Sequence, residues 1–238
     1  MSTVIWHDLE CGSYTEDLPL WRAFAEECGD PILEVGAGTG RVALELARGG
    51  HEVTALDLDG ELLAALEQRG AGLDVRTTRA DARAFDLDGG FALCLVPMQT
   101  IQLLGGPSGR AEFLRRARAH LRDGGILAAA LADGMEPFEV GPGLPAPLPD
   151  ICEIDGVVYS STPVAVIDDG DAFVLERRRE TVTADGTRSC SHNTVRLDRI
   201  AAPQLEREAT AIGLRPLERR RVNATDEYVG SEVVVLRA

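Results

Sequence analysis

The chain contains no lysine, so all 24 of its basic residues are arginine, set against 39 acids for a formal net charge of −15. A chain so short of positive charge repels a phosphate backbone unless its arginines gather on one face, and nucleic acid is therefore not an expected partner. Two arginine runs exist, Arg177-Arg178-Arg179 and Arg219-Arg220-Arg221, but each sits in a strand-like stretch beside acids and reads as a solvated face. The five cysteines, Cys11, Cys28, Cys94, Cys152 and Cys190, form no C-x-x-C pair and are odd in number. That pattern fits a reducing compartment without structural disulfides or zinc, and no other metal-ligand spacing stands out. No window reaches the roughly 18 apolar residues that a membrane span requires, and the opening MSTVIWHDLECGSY lacks a basic leader. A cytoplasmic protein, monomer or homodimer, is the expectation.

What is present is one glycine-rich stretch, PILEVGAGTGRVALELAR at 31–48. Ile32, Leu33 and Val35 read as a buried strand, and from Arg41 onward Val42, Leu44, Leu46 and Ala47 fall mostly on one helical face. Between them Gly36, Gly38 and Gly40 remove three side chains over five residues, so backbone can approach a ligand closely beside outward-pointing N–H groups. A carboxylate, phosphate or ribose suits such a place. Two ligand classes use this kind of turn. The dinucleotide fingerprint G-x-G-x-x-G/A requires a small residue at position 41, where this chain has Arg.

The spacing E-x-G-x-G-x-G, Glu34 to Gly40 with Ala37 inside it, resembles the class I S-adenosylmethionine-dependent methyltransferases. Such a resemblance implies an α/β fold: a seven-stranded, mostly parallel, doubly wound (Rossmann-like) sheet with its last strand antiparallel, binding ligands at the carboxyl ends of the strands. The implied cofactor is S-adenosyl-L-methionine, leaving as S-adenosyl-L-homocysteine. Residues 51–58 alternate and end in an acid, as a second parallel strand does, and Asp57 lies 21 positions after Gly36. Its two oxygens match the cis diol of a ribose, with a helix cap over 60–68 as its other role. Leu58 then packs on adenine. After a third strand at 73–77, Asp81 and the backbone of Ala82 take the family's adenine-amino and ring-nitrogen contacts.

The apolar run 91–96, ending at Val96, reads as a strand buried on both faces and leads into Pro97-Met98-Gln99. There a single proline replaces the N/D-P-P-Y/F motif of enzymes that act on nucleobases or proteins. The chain looks more like the small-molecule members, with Met98 and Gln99 lining the acceptor side of the cleft. A leading segment, 1–30, holds a helix from about 17 to 28, with Trp6, His7 and Tyr14 in an irregular stretch before it; in the family such a segment folds over the cofactor. Tyr14 is the candidate for reaching the methionine end, with lid packing the alternative role. A helix at 110–122, stopped by Asp123-Gly124-Gly125, and a strand at 126–132 complete a core over 31–135, with His120 an ordinary helix-terminal residue.

From 134 to 149 the chain carries five prolines and is expected to be irregular. Beyond it, 151–199 reads as an antiparallel meander with turns at Asp155-Gly156, Asp169-Gly170 and Asp185-Gly186. The span 136–202 is thus the expected substrate cap, and 203–238 supplies a last helix and two returning strands.

Methyl transfer from a sulfonium is an in-line displacement that needs alignment and exclusion of water more than it needs acid–base help. A base is required only for a protonated nucleophile, and His7, His192 and, behind them, Tyr14 are the candidates. The expected activity is methyl transfer to N or O of a small-molecule acceptor. Alternatives are a nicotinamide-dependent oxidoreductase, disfavoured by Arg41 and by the absence of any Tyr-x-x-x-Lys pair, and a catalytically silent ligand-binding protein of the same fold. Cofactor binding requires a bend free of side chains, with Asp57 facing it.

Overall fold

The computed structural model describes residues 2–132, 135–141, 143, 147–226 and 228–238. Its core is a sheet built from β1 (Ile32–Val35), β2 (Val53–Asp57), β3 (Val75–Arg79), β4 (Phe91–Val96), β5 (Leu121–Ala132), β11 (Arg215–Pro216), β12 (Arg220–Val222) and β13 (Ser231–Arg237). The strand order is β11-β13-β5-β4-β1-β2-β3, with β12 also paired to β13. The β1–β2, β2–β3, β1–β4 and β4–β5 pairs are parallel, and β13 runs antiparallel to β5. From β1 the chain first winds outward through β2 and β3, then crosses to β4 and winds the other way. That reversal opens a crevice at the carboxyl ends of β1 and β4, where ligands bind in folds of this kind.

Alternation in the central strands feeds two separate apolar layers. Leu33, Val35, Cys94 and Val96 face one cluster with Phe113 of α5 (Gly106–His120) and Leu205 of α6 (Ala202–Thr210). Ile32, Leu93 and Leu95 face the other, with Trp21 of α2 (Leu18–Cys28), Leu46 of α3 (Ala43–Arg48) and Leu66 of α4 (Gly60–Arg69). All six residues of β4 are buried, as a strand covered on both faces requires. Each large apolar side chain so buried contributes about 1.5–3 kcal/mol. This is the mixed α/β, mostly parallel architecture that the sequence implied, with eight strands among the described residues where seven were expected, because three strands rather than two return after the last helix.

A second, antiparallel sheet follows the order β10-β9-β8-β6, with β7 also paired to β8. Its strands are β6 (Phe138–Glu139), β7 (Asp150–Ile154), β8 (Val157–Asp168), β9 (Ala172–Val182) and β10 (Arg188–Asp198). The β7–β8 connection places Asp155 at φ 50° and Gly156 at φ 76°, the left-handed pair that a two-residue hairpin turn demands.

Several boundaries differ from the sequence expectation. Trp6 and His7 are helical, within α1 (Ser2–Cys11). The third strand starts two residues late, and α5 starts four residues early and ends at His120. Asp123-Gly124-Gly125 does not stop a helix but lies inside β5, because Leu121 already pairs with Phe91. The proline-rich stretch is not wholly irregular, since Phe138–Glu139 pairs with β8; of that stretch Gly134, Pro142 and 144–146 lie outside the described residues.

The arginine run of β9 is also corrected. Arg179 holds Glu10 of α1 through two bonds of 2.7 Å, and Arg177 lies 3.6 Å from the same carboxylate. Ser161 donates to Glu10 as well, at 2.7 Å. Only Arg178 keeps to the exposed face, because successive residues of a strand point to opposite sides.

Candidate functional site

The glycine turn leaves β1 with φ of 75°, 55° and 93° at Gly36, Gly38 and Gly40, values open to glycine and strained for other residues. Its N–H groups are not free. Those of Gly36 and Ala37 donate to the Leu56 carbonyl, that of Gly38 to Asp57 Oδ2 at 2.8 Å, and that of Gly40 to the Ala37 carbonyl. The three glycines also do different things. A methyl at Gly40 would strike Leu66 at 2.7 Å and Leu44 at 2.8 Å, so Gly40 serves helix packing rather than ligand approach. At Gly38 the obstacle is the imidazole of His7, and at Gly36 it is the side chain of Thr100. The bend is therefore lined by two side chains of the chain itself, where the sequence required it to be clear.

Behind the turn, Glu34 is 2% exposed. Its carboxylate accepts from the Ala43 N–H at the start of α3, while Oε2 has no hydrogen-bond partner. Burial pushes the Glu34 carboxyl up to about 8, against the pull of Arg41 and of that N–H. An orphaned acidic oxygen at this depth costs on the order of 1–3 kcal/mol, which a cationic group donating to it would recover.

Asp57 faces the turn. Besides the Gly38 bond, its Oδ1 accepts from the Asp59 N–H at 2.9 Å. Asp57 does not cap the following helix; Asp59 does, accepting from the N–H groups of Glu61 and Leu62. The next residue, Leu58, is 65% exposed, an apolar surface beside a carboxylate. Asp81 is less available, because the Arg83 guanidinium grips both its oxygens and holds its carboxyl below the usual range. Ala82 is half-buried against the core, and the Val96 side chain is wholly inside it, leaving only the Val96 backbone to meet a ligand. After β4, Met98 takes a left-handed φ of 54°, a strained state for a non-glycine residue of the kind that concentrates at ligand sites. Gln99 then opens the short 3-10 helix Thr100–Leu103, which delivers Thr100 to Gly36. Sequence pattern missed Thr100, since nothing in 97–104 marks a turn that folds back on β1.

The two candidate bases separate. His7 is half-buried on Gly38, with Nδ1 3.3 Å from Thr39 Oγ1, and burial lowers its pKa, so its ring is neutral at pH 7. His192 is not brought to this place. It pairs with Arg178 on the exposed face of the second sheet, opposite to the face that Arg177 and Arg179 turn to α1. Tyr14 is buried, but its hydroxyl bonds Ser231 and its ring lies 4.9 Å from that of Tyr228. Burial raises its pKa, so the phenol stays protonated.

Fold and turn together resemble those of the S-adenosylmethionine-dependent methyltransferases of class I. Residues 32–125 match a family model described as a methyltransferase domain. Among curated proteins the chain is 31% identical over 111 residues to the cypemycin N-terminal methyltransferase of a Streptomyces species, 47% of this chain and 44% of that one. The chain spans about half the length, or less, of the curated relatives it matches. Among solved structures it resembles the sugar N-methyltransferase KedS8 of a Streptoalloteichus species, with TM-score 0.76 and 19% identity over 100% of this chain and 93% of that one. It also resembles CalS10, an amino pentose methyltransferase of Micromonospora echinaspora, with TM-score 0.72 and 20% identity over 99% and 97%. These likenesses are of fold. Among the described residues no helix is long and apolar enough to cross a membrane, and no cluster of potential metal ligands occurs.

Proposed function

We propose that the protein binds S-adenosylmethionine at the β1 turn and transfers its methyl group to N or O of a small-molecule acceptor held under the antiparallel sheet. The carrying observation is the Asp57 carboxylate, which is turned onto the glycine bend at the carboxyl ends of β1 and β2 and keeps lone pairs for a ribose diol. Glu34 Oε2 suits the cofactor's ammonium, Leu58 its adenine, and Asp81 with Ala82 the adenine edge. Gly36 and Gly38 bring backbone close to the methionine tail once the Thr100 side chain and the His7 ring, which lie against them, turn aside, with Ala37 between them and the Val96 carbonyl across the crevice.

When bound, the cofactor supplies an activated methyl group on a sulfonium centre. The chain's own work is positional: Met98, Gln99 and Thr100 wall the acceptor side, and α1 with the second sheet shuts out water. A neutral His7 is available as a proton acceptor if the acceptor arrives protonated, and it stands closer to the turn than any other histidine among the described residues. The sugar and peptide N-methyltransferases to which the chain is similar favour an amine nucleophile, and a cytoplasmic enzyme is consistent with five free cysteines.

Titration calorimetry with S-adenosylhomocysteine tests this assignment. Saturable binding is expected, with Asp57→Ala weakening it about 10- to 100-fold through loss of charged hydrogen bonds. Heat from NAD and none from S-adenosylhomocysteine would replace it with an oxidoreductase.

A further inference from the structure

Arg41 stands where a dinucleotide fingerprint requires a small residue. Its guanidinium does more than fill that position. Nη1 and Nη2 reach the two oxygens of Asp17 at 2.5 and 2.8 Å, and Nη1 also donates to the Tyr14 carbonyl at 2.8 Å. The same cation lies 5.1 Å over the Tyr14 ring. Asp17 in turn accepts from the Trp21 indole N–H at 2.8 Å, and Trp21, on the inner face of α2, is fully buried. The Arg41 side chain is 10% exposed and that of Asp17 3%, so this ion pair is shielded from solvent screening.

From these contacts we infer that Arg41 is a positioning residue that fastens the leading segment 14–17 to the last residue of the glycine turn, so that cofactor binding and closure of that segment are one event. The inference rests on the cofactor assignment above. Geometry supports it in two ways. Arg41 immediately follows Gly40, so any shift of the turn on ligand entry moves the guanidinium and, through its planar two-pronged grip, Asp17. Tyr14, held by its carbonyl and its ring face at once, cannot move away from Arg41 without breaking both contacts. Arg41 also balances two acids that flank it, Asp17 and the buried Glu34.

A double-mutant cycle separates fastening from direct ligand contact. S-adenosylhomocysteine binding would be measured for the wild type, Arg41→Gln, Asp17→Asn and the double variant, with hydrogen exchange of residues 14–21 followed in each. The expected result is a loss of about tenfold or more in each single variant, no further loss beyond about twofold in the double, and no ligand-induced protection of 14–21 in any of the three. Arg41→Gln with wild-type affinity, or losses that multiply in the double, would overturn it. Should Arg41→Gln fail to fold, Arg41→Lys keeps the charge without the fork; it is expected to bind at least fivefold more weakly, and wild-type binding by it also overturns the proposal. A wild type that ignores S-adenosylhomocysteine would refute the cofactor assignment instead. The fastening would then still be read in the ligand-free proteins, where faster exchange of 14–21 in Arg41→Gln is expected and unchanged exchange counts against it.

Discussion

At the scale of single residues, the site is decided by which polar atoms are satisfied from within. Asp57 already serves two backbone N–H groups, yet a carboxylate accepts about four hydrogen bonds, so capacity remains for a ligand. Glu34 is different, because one of its oxygens has nothing. Its folded-state pKa of about 8 lies above the ordinary 4.5, so between those values the folded chain holds a proton that the unfolded chain has released. Stability must then fall as pH rises through that window and level off above about pH 8. Glu34→Gln is expected to flatten this slope and to melt above the wild type at pH 8–9, while binding S-adenosylhomocysteine more weakly. Melting temperatures from pH 5 to 9 check the first point, and an unchanged slope in the variant would refute it.

At the scale of elements, α1 bridges the two sheets. On the core side Asp8 bonds Thr39 and Arg69, and on the other side Glu10 is gripped by Arg179 and Ser161, with Trp6 edge-on to Tyr159. Asp8 and Arg69 are more than a third exposed, while Glu10 is nearly enclosed, so the Glu10 side is the firmer attachment. Glu10→Gln leaves Arg179 without its countercharge, while Arg177 keeps Asp150, and is expected to cost about 1–3 kcal/mol. For a chain of this length that lowers the melting temperature by about 2–10 °C. Faster proteolytic clipping within the first 15 or so residues should accompany it. Asp8→Asn should have a smaller effect on melting, and equal losses would contradict this ranking.

At the scale of the whole molecule, the shortage of positive charge is matched by its distribution. Described arginines are repeatedly tied to acids, as in Arg110 with Asp198 and Glu208, or Arg219 with Glu206 and Glu232. A field of this sign disfavours polyanions at any distance within the Debye length. The protein is therefore expected to pass through a heparin column unretained at 50 mM salt, and retention would reveal a basic face that the sequence did not.

The expected turn, the strand tips and most element types were legible because they depend on local rules. Periodicity finds β4, glycine spacing finds the bend, and Asp-Gly pairs find the hairpins, since each is written in neighbouring residues. What the sequence could not carry is which distant side chains fill the space those elements leave. That His7 lies on Gly38, that Thr100 folds back on Gly36, that His192 points away and that two arginines clasp Glu10 all follow from packing between segments far apart in the chain. The sequence alone determined a ligand-sized bend and its neighbouring carboxylate, through a backbone that only glycine permits and an acid at a fixed distance beyond it. Tertiary structure decided which of those residues are free to meet a ligand, because satisfaction of a buried polar group depends on every segment that reaches it.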